Sequence, residues 1–237
     1  MAPYALASHV FVCLQDEHVV FLDVRRDRYF ALEAAKTRGL GALVRGWPVG
    51  TEDDARRLAE LMKSGVFQVL AERGLLAHGQ RPGKDATPIQ CASPVEEIEA
   101  DDTGATPAIG PLATCRFSVA ALAASLSLRL MPFERVIARA HHRRTTTAVA
   151  PELDRERTQE LIAIFSWLRP FAFTAKDACL FEALALGNFL ASHDIYPQWV
   201  FGVQARPFSA HCWLQSGAIV LNDSVEHVSQ YTPIMVA

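Results

Sequence analysis

Short apolar runs separated by polar turns open the chain and predict three strands. The runs cover His9–Leu14, Val19–Val24 and Arg28–Leu32, and polar residues at 15–18 and 25–27 separate them. Their β-branched and aromatic residues are typical of strands. Helical patterns follow at 33–44, from 54 onward and at 66–73, the last ending at Gly74, a natural C-cap. This order predicts a small α+β domain of three strands and three helices with a winged-helix arrangement.

The composition changes between Gly79 and Pro111 and predicts a linker. Prolines punctuate this stretch and acidic residues cluster between 96 and 102. Such a segment buries little apolar surface. We therefore expect an N-terminal domain at 1–80, a flexible linker at 81–112 and a C-terminal domain at 113–237.

The C-terminal part changes from helical to strand patterns. Helices are predicted at 115–130, at 134–144, from Pro151 through Phe165, and around Cys179; strands are predicted at 198–203, 210–214 and 218–221. Gln215–Gly217 has the residues of a hairpin turn. The whole chain is therefore predicted to be α+β, with helices preceding an antiparallel sheet in its second domain.

Charge and cysteine content exclude several functional classes. The net charge is -3, which gives no support to a nucleic-acid binder. No secretory signal is visible, and the longest apolar stretch, Phe117–Phe133, contains Arg129 and several serines, so no membrane association is expected. We expect a cytoplasmic protein with reduced thiols. The five cysteines include no CxxC pair, which indicates neither a disulfide framework nor a zinc site.

Three residues near the C-terminus suit nucleophilic catalysis: Cys179, His211 and Asp223. A cap within Thr174–Asp177 would put Cys179 in the first turns of its helix, where the helix dipole stabilises a thiolate by ~0.3–1 kcal/mol. An imidazolium would stabilise it more, so His211 must approach Cys179 in the fold. Asp223 can then hold the imidazole ring in its useful tautomer. The backbone N–H of Cys179 is a candidate oxyanion donor.

Each of these residues also has a purely structural interpretation. Cys179 could be a small buried hydrophobe, His211 a core histidine and Asp223 a turn residue. Cys212 follows His211, but consecutive strand residues point to opposite faces, so we expect it not to share the site. A metal site from His211, Cys212 and His227 fits no standard ligand spacing. No metal and no cofactor are expected.

The stretch Trp199–Leu214 resembles the signature of lasso peptide B proteins, which are transglutaminase-like leader peptidases. That family shows a "GV…PF.AH.W" pattern, with a cysteine at a helix start upstream and an acid after the next strand; Cys179, His211 and Asp223 match these positions. The resemblance covers about Phe117 to Val236. It implies a papain-like or transglutaminase-like thiol-protease fold and a bacterial enzyme that cuts a leader from a ribosomally made precursor.

The N-terminal part resembles a PqqD-like recognition element, on the residues Val20–Val24 and Tyr29–Leu32. This resemblance implies that the precursor's leader adds as a strand beside β-prone residues and against a helix. The residues implied in leader binding are Tyr29, Phe30, Ala31, Leu32, Val66, Val69 and Leu70. The implied partners are the precursor peptide and a lasso cyclase that resembles asparagine synthetases. Two alternatives stay open: an acyltransferase or cross-linking enzyme on the same triad, and a non-catalytic precursor-binding scaffold.

Overall fold

The computed structural model describes residues 2–49, 54–79, 82–98, 107–146, 153–172 and 179–237. The chain divides into two units, one built mainly from residues 1–90 and the other mainly from residues 91–237. Helices and strands are mixed in both units, so the predicted α+β class is confirmed.

A three-stranded meander forms the centre of the first unit, as far as the structure describes it. Its antiparallel strands are β2 (Val10–Gln15), β3 (His18–Asp23) and β4 (Arg28–Glu33), in the order β2-β3-β4. Gln15 pairs with His18, which leaves a two-residue turn where Asp16 has a φ of 50°. Aspartate tolerates this left-handed conformation because its short side chain can hydrogen-bond locally. The three predicted strands are confirmed, and β4 is an edge strand.

A second sheet in this unit was not predicted. It consists of β1 (Tyr4–Ala7), β5 (Leu76–His78) and β6 (Gly83–Lys84), in the order β5-β1-β6 over the described residues. Each strand is short, and the pairing joins segments about 70 residues apart in sequence. Local periodicity cannot report such long-range pairing.

The helices of the first unit cover its hydrophobic core. The predicted helix at 33–44 is a short α1 (Ala34–Thr37) followed by a 3-10 helix (Arg38–Ala42); α2 (Asp54–Ser64) and α3 (Val66–Glu72) lie close to their predicted positions. Phe21 stacks on Phe30 with ring centroids 4.6 Å apart, and Trp47 lies 5.9 Å from Phe21. These aromatic contacts join the meander to the rest of the core. The winged-helix arrangement stays a prediction.

In the described residues of the second unit, four long helices precede the main strands: α4 (Pro111–Leu130), α5 (Phe133–Thr146), α6 (Arg155–Ala172) and α7 (Cys179–Ala191). Phe117 of α4, Phe165 of α6 and Phe189 of α7 contact one another, with ring centroids 5.3–6.5 Å apart. α7 is apolar on nearly every side, and a helix of this kind must be buried. Burial of α7 therefore fixes the position of Cys179 at its end.

The strands of the second half are β8 (Gln198–Gln204), β9 (Ser209–Ser216), β10 (Ile219–Val220) and β11 (Thr232–Val236), with α8 (Val225–Val228) between the last two. Together with β7 (Glu96–Glu97) they form a sheet of order β11-β8-β9-β10-β7 within the described residues. Ser216 pairs with Ile219 across a turn at Gly217, as the hairpin prediction requires. β7 runs parallel to β10, which differs from the predicted antiparallel sheet because β7 comes from a distant segment.

The segment predicted as a flexible linker is partly folded. It supplies β6 to the first unit and β7 to the second, and Ala86 and Ile98 are 0% and 6% exposed. α4 begins at Pro111, inside the predicted range. Composition alone does not predict these strands. A strand of two residues is held by backbone hydrogen bonds, which do not depend on the residue types. Residues 99–106 lie outside the described part of the chain, and the domain boundaries stay a prediction.

One helix in the described residues, α4, is long and apolar enough to cross a membrane by length and composition. The core helix of a soluble protein passes the same test. Phe117, Ala120 and Ala124 of α4 are buried, whereas Leu122 and Leu130 are exposed. The expectations of no membrane association and of a cytoplasmic location therefore stay predictions.

We expect Gly202→Ala to destabilise the protein by about 1–3 kcal/mol, the range for overpacking a core. A Cβ at this position of β8 would lie 2.8 Å from both Trp213 and Tyr231. Gly187→Ala on α7 is the matched control, because its Cβ would meet Leu214 at an ordinary 3.8 Å and alanine favours helices. Thermal unfolding should show a lower Tm for Gly202→Ala only; equal Tm values would contradict this packing.

Candidate active site

The structure brings the three predicted catalytic residues together. Cys179 is the first described residue of α7, His211 lies on β9, and Asp223 follows β10. His211 Nε2 is hydrogen-bonded to Asp223 Oδ2. The His211 side chain is also one of the groups that lower the pKa of the Cys179 thiol. His211 and Asp223 are only 15% and 16% exposed, so the pair is largely shielded from water. The cap predicted within Thr174–Asp177 lies outside the described residues.

The short length of β10 lets the thiol reach the sheet. Among the described residues of β9, only Ser216 and Gln215 pair with β10. The Leu214 carbonyl accepts from Leu221 N–H, and the Leu214 N–H donates to the Asn222 side chain. Two residues along the strand, the backbone of Cys212 points to the same edge. The Cys212 backbone is one of the causes of the lowered pKa of Cys179, which puts the thiol near this edge. The nucleophile therefore occupies an edge of β9 that a longer β10 would cover.

The expectation that Cys212 would not share the site is wrong. The alternation of faces itself holds: His211 and Trp213 have near-parallel rings on one face, and Leu214 faces α7 on the other. However, Cys179 approaches the edge of β9, and a group at a strand edge is within reach of side chains from both faces. A hydrogen bond from the Cys212 side chain is the main cause of the lowered pKa of Cys179, so Cys212 belongs to the surroundings of the nucleophile.

The surroundings of Cys179 favour its thiolate. Hydrogen bonds from the Cys212 thiol and from His211 lower the pKa of Cys179 to about 4, although partial burial opposes this shift. Burial disfavours the imidazolium of His211, but its hydrogen bonds to Asp223 and Cys179 prevail and raise the pKa of His211 to about 9. Between these two values the site holds a thiolate beside an imidazolium, the reactive form of a cysteine nucleophile.

Asp223 orients two histidines and not one. Its Oδ2 bonds to His211, and its Oδ1 bonds to Nδ1 of His227 at 2.9 Å. Burial raises the pKa of Asp223, but the hydrogen bonds from His211 and His227 outweigh burial and hold it below its usual value. Because Asp223 engages Nε2 of His211, Nδ1 is the ring nitrogen that remains for Cys179. Tyr231 packs against both imidazoles, with ring centroids 5.2 and 5.5 Å away, and limits their rotation.

His227 was not predicted as part of this arrangement. The spacing of four residues between Asp223 and His227 is a signal that could have found it, because such residues share one face of a helical turn. His211, Asp223 and His227 also offer ligand atoms within 4.8 Å of one another, the spacing of a metal site. Asp223 is hydrogen-bonded to both histidines, and the expectation that no metal binds stays a prediction. This set differs from the metal site considered in the sequence, because it includes Asp223 in place of Cys212.

The residues predicted for leader binding lie on two elements of the first unit. Tyr29, Phe30, Ala31 and Leu32 belong to β4, and Val66, Val69 and Leu70 belong to α3. Phe30, Leu32 and Val66 pack partly against the core, and Val69 is 47% exposed. Leu70 is 2% exposed, so its side chain supports α3 from within and is not presented to a ligand. Their role in binding stays a prediction.

A match to a family model shows to which superfamily this chain belongs. The model described as "Transglutaminase-like superfamily" matches residues 118–236, half of the chain. The chain belongs to the transglutaminase-like superfamily. No curated protein and no solved structure matches this chain. The matched range contains the larger part of α4, all of α5 to α8 and β8 to β11, and the whole Cys179–His211–Asp223 cluster.

Membership of this superfamily agrees with the chemistry of the cluster. Its members typically are cysteine proteases or transglutaminases, which both act through a cysteine thioester. A thiolate, an imidazolium and a buried carboxylate in hydrogen-bond sequence are the groups that such a reaction needs. The individual catalytic roles of Cys179, His211 and Asp223 stay predictions that mutagenesis can test.

We expect the alkylation of Cys179 by iodoacetamide to rise with a midpoint near pH 4, because only the thiolate reacts. In His211→Ala the midpoint should move upward toward the ordinary thiol value, since a hydrogen-bond donor and a positive charge are lost. Peptide mass spectrometry after timed alkylation gives the rate for each cysteine. The exposed Cys115 in the same digest is the internal reference. An unchanged midpoint in the variant would show that His211 does not activate Cys179.

Proposed function

We propose that this protein is a cysteine peptidase that removes the leader from a lasso peptide precursor. The observation that carries the proposal is the placement of Cys179 at the start of α7 together with the hydrogen-bonded pair His211–Asp223, within a transglutaminase-like fold. The lowered pKa of Cys179 and the raised pKa of His211 agree with it. The resemblance of Trp199–Leu214 to lasso peptide B proteins supports the substrate class. The reaction would precede ring closure by a cyclase similar to asparagine synthetases.

The geometry supports a two-step hydrolysis. The Cys179 thiolate attacks the carbonyl carbon at the leader–core junction, and the His211 imidazolium protonates the leaving amine of the core. His211, now neutral, accepts a proton from water, which attacks the thioester and releases the leader. Asp223 remains ionised and stabilises the imidazolium in both steps. Activity should therefore be highest between about pH 4 and about pH 9, because it needs the thiolate of Cys179 and the protonated form of His211.

Two features of the motif support the stacking of the catalytic histidine. Trp213 is 1% exposed, and its ring lies nearly parallel to that of His211 at 6.1 Å. Gly202 on β8 leaves the space that the Trp213 ring fills, since a Cβ there would lie 2.8 Å from it. Gly202 and Trp213, the glycine and the tryptophan of the pattern, thus both help to position the strand that carries His211.

The first unit would bind the leader as an added strand. β4 is the edge of its sheet in the described residues, and an edge strand offers unpaired backbone groups to a peptide. α3 lies over the same core as β4 and presents Val69 to solvent. A leader held here raises the effective concentration of the cleavage site at Cys179.

We expect Cys179→Ala to abolish cleavage of the cognate precursor while leader binding persists. The probe is the short precursor encoded beside an asparagine-synthetase-like reading frame, incubated with the protein and followed by mass spectrometry. Cleavage into leader and core supports a peptidase. A mass change without chain cleavage indicates an acyltransferase instead, and binding without any change indicates a scaffold. Asp223→Asn is the companion variant: it should retain binding and lower kcat, because the histidine tautomer is no longer fixed.

We expect Val69→Glu to weaken leader affinity about tenfold, or ~1.4 kcal/mol, because it places a charge in an apolar contact. Met62→Glu on α2 is the matched control, since Met62 is also exposed, at 57%, and belongs to a helix not assigned to the peptide. Both changes are at the surface and should alter stability by less than about 0.5 kcal/mol. Fluorescence anisotropy of a labelled leader measures the Kd. Equal affinities would remove α3 from the binding surface.

A further inference from the structure

A small cavity lies between the end of α5, the helix α7 and the strands β8 and β9. Arg143 and Arg144, in the last turn of α5, line it together with Trp199 of β8. The rest of its lining is apolar except for Tyr196, and no Asp or Glu of the described residues contributes to it. All of its lining residues belong to the second unit. We call this space the arginine cavity.

The two arginines are held differently from ordinary residues at a helix end. Arginines in the last turn of a helix often serve only the helix, because their charge complements the negative end of its dipole. Here both are half-buried. Nη1 of Arg143 donates to Oδ1 of Asn188 at 2.8 Å, and Nδ2 of Asn188 donates to the Ala120 carbonyl at 3.4 Å. Asn188 thus anchors Arg143 to α7 and α4 instead of leaving it to turn in solvent.

The arginine cavity contains buried donors that lack acceptors. Nε of Arg144 and Nε1 of Trp199 are both buried, and neither has a hydrogen-bond partner within the described residues. Trp199 as a whole is only 3% exposed. Guanidinium and indole groups can donate hydrogen bonds but cannot accept them. Because unpaired buried donors are costly, a ligand that accepts hydrogen bonds would stabilise this arrangement.

The charges around the arginine cavity favour a negatively charged ligand. Burial, and then the neighbouring charge of Arg139, lower the pKa of Arg143. An anion placed between Arg143 and Arg144 would offset both effects, because it pairs with charges that burial has partly removed from water.

The size of the arginine cavity selects among anions. Its volume is about 40 Å³, and a buried water needs about 10–15 Å³, so it holds about three water-sized groups. The three heavy atoms of a carboxylate fit this space, whereas the five of a phosphate exceed it. A carboxylate also matches the planar fork of a guanidinium. The half-buried Ala140 and Pro197 in the lining suit a short apolar group attached to the carboxylate.

We propose that the arginine cavity is a binding site for a carboxylate attached to a short apolar group. Arg143 and Arg144 bind the carboxylate oxygens, and the indole N–H of Trp199 donates a further hydrogen bond. The carboxylate belongs either to a free organic acid or to an acidic side chain of a peptide. This site is separate from the Cys179–His211–Asp223 cluster and does not rest on the proposed peptidase function.

Titration of the full-length protein with isobutyrate tests the proposal, and isobutyramide is the uncharged control of the same shape. The readout is the NMR signal of the Trp199 indole N–H, assigned by its absence in Trp199→Phe. The signal of Trp167, which is 44% exposed on α6 and does not line the cavity, is the internal reference. We expect isobutyrate, and not isobutyramide, to shift the Trp199 signal saturably. Equal shifts with the acid and the amide would overturn the proposal.

A second pair of probes distinguishes the two sources of the carboxylate. Acetyl-Ala-Glu-amide carries an acidic side chain, and acetyl-Ala-Gln-amide is its uncharged control. Tighter binding of the glutamate peptide than of isobutyrate assigns the site to a peptide, and the reverse assigns it to a free acid; either result supports the site. If neither carboxylate shifts the Trp199 signal saturably, or if only inorganic phosphate does, the proposal is wrong.

Arg144→Gln should weaken carboxylate binding about tenfold or more, because a charge-assisted hydrogen bond is lost. Arg135→Gln is the matched control and should leave the Kd unchanged. It removes the same charge from an exposed position of α5 that does not line the cavity. Equal Kd values in the wild type and in Arg144→Gln would show that the carboxylate binds elsewhere. Should Arg144→Gln not fold, the comparison of acid with amide on the wild-type protein still decides the outcome.

Discussion

The approach of Cys179 to the uncovered edge of β9 is the contact on which the candidate site depends. The helix α7 is apolar almost all round and must be buried, so its end is not free to move. β10 is only two residues long and leaves the edge of β9 open beside His211 and Cys212. A longer β10 would satisfy that backbone and exclude the thiol. The site is therefore a consequence of strand length and helix burial together.

The electrostatics of the site extend this contact through a chain of hydrogen bonds. Asp223 holds His211, and His211 and Cys212 hold the sulfur of Cys179. His227 occupies the second oxygen of Asp223, so the carboxylate has fewer alternatives to the orientation that serves His211. Partial burial disfavours the charged forms of Cys179, His211 and Asp223. They stay charged because each charged group in the network is paired with a neighbour of opposite charge. Activation of the thiol thus depends on the whole network.

The features that activate Cys179 also make it vulnerable. A thiolate that ionises readily is nucleophilic toward peptides and hydroperoxides alike. In the proposed function, selectivity for the peptide comes from leader binding on the first unit.

Local patterns determined much of this protein. The β-prone runs predicted β2, β3 and β4, and the apolar run that follows Cys179 predicted α7. The order of residue types along the chain indicated Cys179, His211 and Asp223 as candidate site residues. Other features were decided only by tertiary structure. The sheet of β1, β5 and β6 and the parallel strand β7 join distant segments through backbone hydrogen bonds, which leave no periodic trace. Cys212 entered the site because the nucleophile meets a strand edge, and a period of two along a strand describes its faces but not its edges.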